Sequence, residues 1–318
     1  REVTLEYDLT RMVARLDDPD PPRVGILSSL PGMTAPGGEG GYTLLADITK
    51  SFDVVPISQE FQSLPEDLDV LFVAHPPELS ARQAWLIDQY ILRHGRAVFM
   101  VDPAAKTAMG DGMFGTSRDH ARSDLGALGK AWGVTLSEDA VADAANALPV
   151  PVDTGNGRME ELAHPLFIGT PASDMNANDL VTADLTRNVN FGAPGALLAD
   201  DLPGGEVFSP LISTGPSPSY IDAGAAVRDM TPDDVLKSYK TSPQPLVLAA
   251  RLSGSLATAF PAGAPALDEP TDPGLAELAR AEAANAPPHI SRSETDAEIV
   301  LIADVDALAD DFYIIPGR

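Results

Sequence analysis

The sequence predicts an α/β fold: a doubly wound, mostly parallel sheet that carries an irregular, strand-rich second lobe. Three observations point there. Apolar runs alternate with helical patterns through the first 140 or so residues, the rhythm of β–α–β units. The run "DVLFVA" (69–74) is continuously apolar after its Asp69, as strands buried on both faces of a parallel sheet are. The chain has 318 residues and is 44% hydrophobic, enough to bury a substantial core.

Taken in order, "REVTLEYDLT" (1–10) alternates like a short strand, and "DDPDPP" (17–22) follows as a stiff acidic spacer, so residues 1–20 stand apart from the core. The α/β core spans 21–140. It begins with "RVGILSSL" (23–30), a buried-strand pattern, then helical "YTLLADITKSF" (42–52) and the short strand "DVVPI" (53–57). Residues 64–103 are the clearest segment. "DVLFVA" is followed by Ser80 and Gln83, the spacing of a capping box, in which the serine and glutamine satisfy each other's backbone N–H groups. Ala84, Ile87 and Ile91 then lay an apolar stripe along one side of a helix, and Gly95 stands where a left-handed cap ends it. "AVFMV" (97–101) is the next strand, closed by Pro103. Turns this short make the two strands parallel, with a right-handed crossover. "SDLGALGKAWGVTL" (123–136) repeats the grammar: a Ser123 cap, Leu125, Leu128 and Trp132 on one face, then Gly133 and a strand.

After residue 140 the rhythm weakens. Residues 141–245 are rich in Pro, Gly, Asn and Asp, with short runs such as "HPLFI" (164–168) and "EVFSPLIST" (206–214), and read as a second lobe or insertion. Residues 246–318 return to the core sheet. "PLVLAARL" (245–252) and "AEIVLIADV" (297–305) are strand patterns, separated by a mobile Pro/Ala-rich excursion at 261–290 that flanks a short alanine-rich helix.

Charge narrows the function classes. Asp and Glu number 47 against 21 Lys and Arg, a net −26, and such a field repels nucleic acid and anionic lipid surfaces. With no cysteine, disulfides, thiolate catalysis and Cys-based zinc sites are excluded. No apolar run approaches the ~18–20 residues a membrane span needs. The chain starts at Arg1 with no signal-peptide pattern and is expected to be a segment of a longer protein, any anchor lying outside it.

The loop "GILSSLPGMTAPGGEGGY" (25–42) invites a nucleotide-binding reading and fails it. A phosphate loop needs G-x-x-x-x-G-K-[ST], and here Gly37, Gly38, Gly40 and Gly41 lead to Tyr42, with no lysine before Lys50. The dinucleotide fingerprint would need glycine at 43, where Thr43 stands. Strand ends give a sharper idea, because open α/β sheets bind ligands beyond the carboxyl ends of their strands. Ser28 and Ser29 fall there after the first strand, His75 after "LFVA", Asp102 after "VFMV" and Asp304 after "IVLIA". These five are the candidate docking residues, with Ser28, Ser29, His75 and Asp102 expected on one exposed edge. A Ser/His/Asp hydrolase is the alternative, and a Ser–His contact near 3 Å would mark it. No G-x-S-x-G elbow occurs, however, and Asp102-Pro103 is a common turn opener. "DVDALADDF" (304–312) loses the calcium-loop pattern after two ligands, leaving Asp304 or Asp306 to cap a terminal helix. The histidines are isolated, so no metal, and no cofactor, is expected.

Residues 64–103, with Asp88-Gln89-Tyr90, Arg93 and His94-Gly95 in the helix and a strand closing on Asp102-Pro103, resemble the signature block of the gliding-motility-type ABC transporter auxiliary proteins. "VTLEYDLT", "RVGILSSLP", "SDLGALGKAWGV", "VLAARLSG" and "IVLIADVDALADDF" extend the resemblance over most of the chain. It implies a fold like the class I amidotransferase-like sandwich, although the nucleophilic cysteine of that group is missing here. It also implies a non-catalytic, extracytoplasmic domain on the periplasmic face of the inner membrane, acting in docking or substrate handling. Residues 1–20 would be juxtamembrane, with anchoring helices in flanking segments. The implied partners are an ABC-2-type permease and an ATPase, with a small-molecule or glycan ligand in the alternative of a solute-binding module.

Overall fold

The chain is described from a computed structural model that covers residues 20–33, 41–109, 121–153, 158–200, 202–228 and 230–313. The strand expected over 1–10 and glycines 37, 38 and 40 lie outside the described residues. The first half runs β1 (Arg23–Ser28), α1 (Thr43–Ile48), β2 (Asp53–Pro56), β3 (Val70–Ala74), α2 (Ala81–His94), β4 (Arg96–Met100), α3 (Gly126–Trp132) and β5 (Val134–Leu136). Next come β6 (Ala140–Ala142), β7 (Ala147–Asp153), β8 (Met159–Thr170), β9 (Val189–Gly192), β10 (Leu197–Ala199), β11 (Glu206–Ser213) and β12 (Ser219–Ile221). The chain closes with α4 (Ala223–Ala226), α5 (Pro232–Ser238), β13 (Val247–Gly254), α6 (Pro273–Ala283), β14 (Ala297–Ile302) and α7 (Asp310–Tyr313).

The central sheet has seven strands in the order β11-β13-β14-β4-β3-β1-β2. The five from β14 to β2 are parallel, whereas β13 and β11 are antiparallel additions at one side. Chain direction across the sheet reverses between β1 and β3, which makes their carboxyl ends a topological switch point. Successive side chains of a strand face opposite ways, and both faces are filled. Leu27, Leu71, Val73 and Phe99 pack with α2 and α3, Phe99 meeting Trp132 edge-on at 5.5 Å. Ile26, Phe72 and Met100 pack on the other side with Leu45 of α1.

The β3–α2–β4 unit forms as its sequence dictates. Ser80 and Gln83 make the reciprocal capping box, and Gly95 ends α2 at φ 76°. One difference concerns what surrounds α2. Beyond the predicted stripe, every residue from Arg82 to Leu92 is buried: residues 255–296 cross the outer side as a strap over Asp88 and Gln89, and the 59–68 segment meets Gln83 and Tyr90. Another concerns "EVFSPLIST", expected in the second lobe, which supplies β11 as an edge of the main sheet. The remaining second-lobe strands form small antiparallel sheets, two of them with β5 or β6 of the preceding segment: β7-β8-β9, β12-β6 and β10-β5. Among the described residues no helix is long and apolar enough to cross a membrane.

Candidate functional site

β3 ends at His75, whose backbone stands at φ 47°, in the left-handed region that non-glycine residues seldom occupy. Neighbouring strands hold it there. Its N–H donates to Met100 O at 2.9 Å, and its carbonyl accepts both the N–H (3.2 Å) and the hydroxyl (2.6 Å) of Ser29. The turns after β1 and β3 are thus tied together at the switch point.

The imidazole is buried, and its Nδ1 lies 2.9 Å from Ser123 Oγ. Ser123 Oγ also accepts the Asp102 N–H at 3.1 Å, while the Ser123 N–H donates to Asp102 O at 2.8 Å. The serine hydroxyl, with one donor and two acceptor sites, thus bridges the Asp102 backbone and the imidazole. Ser123 therefore does not cap α3 as expected. Leu125 holds the N-cap position without a side-chain bond, and Asp124 Oδ1 takes the Gly126 N–H at 2.8 Å instead.

Above this chain of contacts runs a groove of about 940 Å³, lined by Ser29, Gln59, His75, Ser123, Leu125 and Phe260 among others. Its size is that of small-molecule sites, which span roughly 300–1,000 Å³. Prolines 31, 76 and 77 give it rigid apolar walls, and Glu78, Arg122 and Asp124 bring charge to it.

Of the five candidate residues, Ser29 and His75 line the groove. The single exposed edge expected for Ser28, Ser29, His75 and Asp102 is corrected: Ser28, His75 and Asp102 are buried. Ser28 builds the turn, its Oγ accepting the Leu30 N–H and its carbonyl the Gln59 amide. Asp102 reaches His75 through Ser123, while its carboxylate accepts the N–H groups of Ala104 (2.7 Å) and Val305 (2.9 Å). The contact that would mark a hydrolase is therefore present between His75 and Ser123, but Asp102 spends its carboxylate on backbone. Sequence reading missed Ser123, Gln59 and Phe260 as site residues. A serine one residue ahead of Asp124 gave no signal beyond helix capping, and Phe260 comes from the distant strap.

Asp304, the fifth candidate, follows β14 as the strand-end rule expects and is fully buried. It takes the Gly192 N–H at 2.6 Å and caps the 3₁₀ turn Asp306–Leu308 through the Asp306 N–H at 2.7 Å. Asp306 in turn accepts the N–H groups of Lys106 and Thr107 and the Thr107 hydroxyl. Carboxylate oxygens of Asp102, Asp304 and Asp306 lie within 4.8 Å of one another, the one grouping among the described residues with metal-ligand spacing. Those oxygens are already engaged by backbone donors, so the cluster ties three chain segments together. Burial, and then the neighbouring carboxylates, push Asp304 up to about 8 and Asp102 well above the carboxylate range. Burial likewise raises Asp306, against the opposing pull of Thr107 and Lys106.

Fold and groove together define the class: a doubly wound α/β domain with a crevice at its topological switch point. The family model described as "ABC-type uncharacterized transport system" matches residues 21–317, and the chain belongs to that family, an auxiliary component of ABC-type transport. No curated protein matches the chain.

Proposed function

We propose that this chain is a non-catalytic, extracytoplasmic auxiliary domain that handles a small uncharged solute for its transport system. One observation carries the reading: a groove of ligand size opens at the β1/β3 switch point, over Ser29 and His75. The −26 charge disfavours anionic ligands, nucleotides included. Asp102 argues against hydrolysis, since a catalytic aspartate must orient the histidine and this one orients two turns. The absent cysteine argues against amidotransferase chemistry, although the strand order is compatible with an amidotransferase-like sandwich. Gliding-motility-type kinship, a periplasmic location, anchors in flanking segments, and a permease and ATPase as partners all belong to this proposal, supported by the family's place in ABC transport.

The second reading, docking of the groove on the permease, shares the same residues. The test replaces Ser29 and His75 by alanine and measures transport alongside the melting temperature. Transport lost without an equal loss of stability supports the groove as a working surface. A variant that melts early and still supports transport overturns it.

A further inference from the structure

The strap stands on a short two-stranded stem. Thr258 N–H donates to Ser291 O at 3.0 Å, Ser293 N–H to Leu256 O at 2.9 Å, and Ala257 bridges Arg292. Its two feet rest on adjacent residues of α2. At the first, Asp88 accepts the Thr258 hydroxyl at 2.6 Å and the Ala259 N–H at 2.9 Å. At the second, the Gln89 side chain clasps Ile290 both ways, accepting its N–H at 2.7 Å and donating to its carbonyl at 3.0 Å. Trp85 Nε1 donates to His289 Nδ1 at 3.1 Å beside this foot, and Arg93 donates to Pro288 O.

Asp88 is 1% exposed. A carboxylate that deep is costly without partners, and apart from the neighbouring Gln89 amide its partners are the strap. The connection continues into the groove. Thr258 Oγ1 accepts the Phe260 N–H at 3.1 Å, and Phe260 packs on the main core while forming part of the groove wall.

We propose that Asp88 and Gln89 are positioning residues that seat the strap and thereby set Phe260 as a wall of the groove, coupling strap seating to groove shape. The proposal rests on the groove being a working surface, and it makes Phe260 the strap's contact with an uncharged ligand that presents an apolar face.

The absence of cysteine supplies clean reporters. Single thiols are introduced by Phe260→Cys, by Ser29→Cys across the groove, and by Asp233→Cys on exposed α5, and alkylation by iodoacetamide is timed for each. Adding Asp88→Ala should speed labelling at position 260 by about tenfold to a hundredfold, the equilibrium weight of charge-assisted hydrogen bonds lost. Labelling at position 29 should rise severalfold, with position 233 unchanged within about twofold. Thr258→Val, which removes one hydroxyl at nearly constant volume, should move positions 260 and 29 in the same direction and serves if Asp88→Ala fails to fold. Unchanged labelling at 260, a parallel rise at 233, or a rise at 260 with none at 29 would each overturn the coupling. Labelling reads the strap whether or not a solute is carried, so its failure is distinct from failure of the transport test.

Discussion

Stability of this protein should fall as pH rises from about 4 to 8, and Asp304 is one reason beside its buried neighbours Asp102 and Asp306. Its carboxyl is fully buried beside Asp102 and Asp306, and its pKa is raised from 3.8 to about 8. A raised folded-state value means that the folded chain holds this proton more tightly than the unfolded one. The contribution is therefore present in full below 3.8 and is lost as pH climbs through about 8. Four pH units at ~1.4 kcal/mol each come to about 5–6 kcal/mol, a large share of the ~5–15 kcal/mol that stabilises a typical domain. The perturbation is Asp304→Asn, whose amide cannot ionise. Urea unfolding of both proteins at pH 4 to 9 measures the difference. The wild type should lose stability steeply across this window, while the variant keeps only the slope from Asp102 and Asp306 and from general acidic repulsion. Identical slopes in the two proteins, or wild-type stability that rises from pH 5 to 8, would refute the reasoning.

Other consequences are simpler. Ser80→Ala removes the capping box of α2 and should cost about 1 kcal/mol, read from the urea midpoint. Gly95→Ala should cost more than that by the same measurement, because its Cβ would meet Asp296 O at 2.8 Å in a left-handed backbone. Ser123→Ala takes a partner from the Asp102 N–H and from His75 Nδ1 and should cost about 1–3 kcal/mol. Nitrogen NMR should show a different His75 tautomer balance in the variant from that in the wild type, because the Ser123 hydroxyl on Nδ1 is gone.

Where physics is local, the sequence was legible. The β3–α2–β4 unit is written in a cap, a stripe, a glycine and two apolar runs, each interpretable within a few residues. The outer side of α2 was not. Trp85 looks like an unexplained apolar residue until His289 of a strap some 200 residues later meets it, and Asp88 and Gln89 look like solvated polar groups until the strap binds them. The second lobe was legible only as irregular, since strands such as β10 and β12 are three residues each, too short to show a period. At the site, Ser29 and His75 followed from the rule of strand ends. Asp102 and Asp304 followed it too, yet turned inward, because nearby backbone N–H groups claim their carboxylates.

The place of β14 in the sheet bears on how the chain comes into being. Residues 297–302 fill the slot between β4 and β13, so a strand near the end of the sequence pairs with one made about 200 residues earlier. Until those residues are available, β4 has an open hydrogen-bonding edge and β13 and β11 have no sheet to join. Contacts this distant in sequence slow folding, because a long loop must close before its pairing is rewarded. Hydrophobic strands therefore wait, half-assembled, until residues 297–302 are made, a state in which unpaired edges favour aggregation. A nascent chain of this architecture would have most need of a chaperone just before β14 arrives.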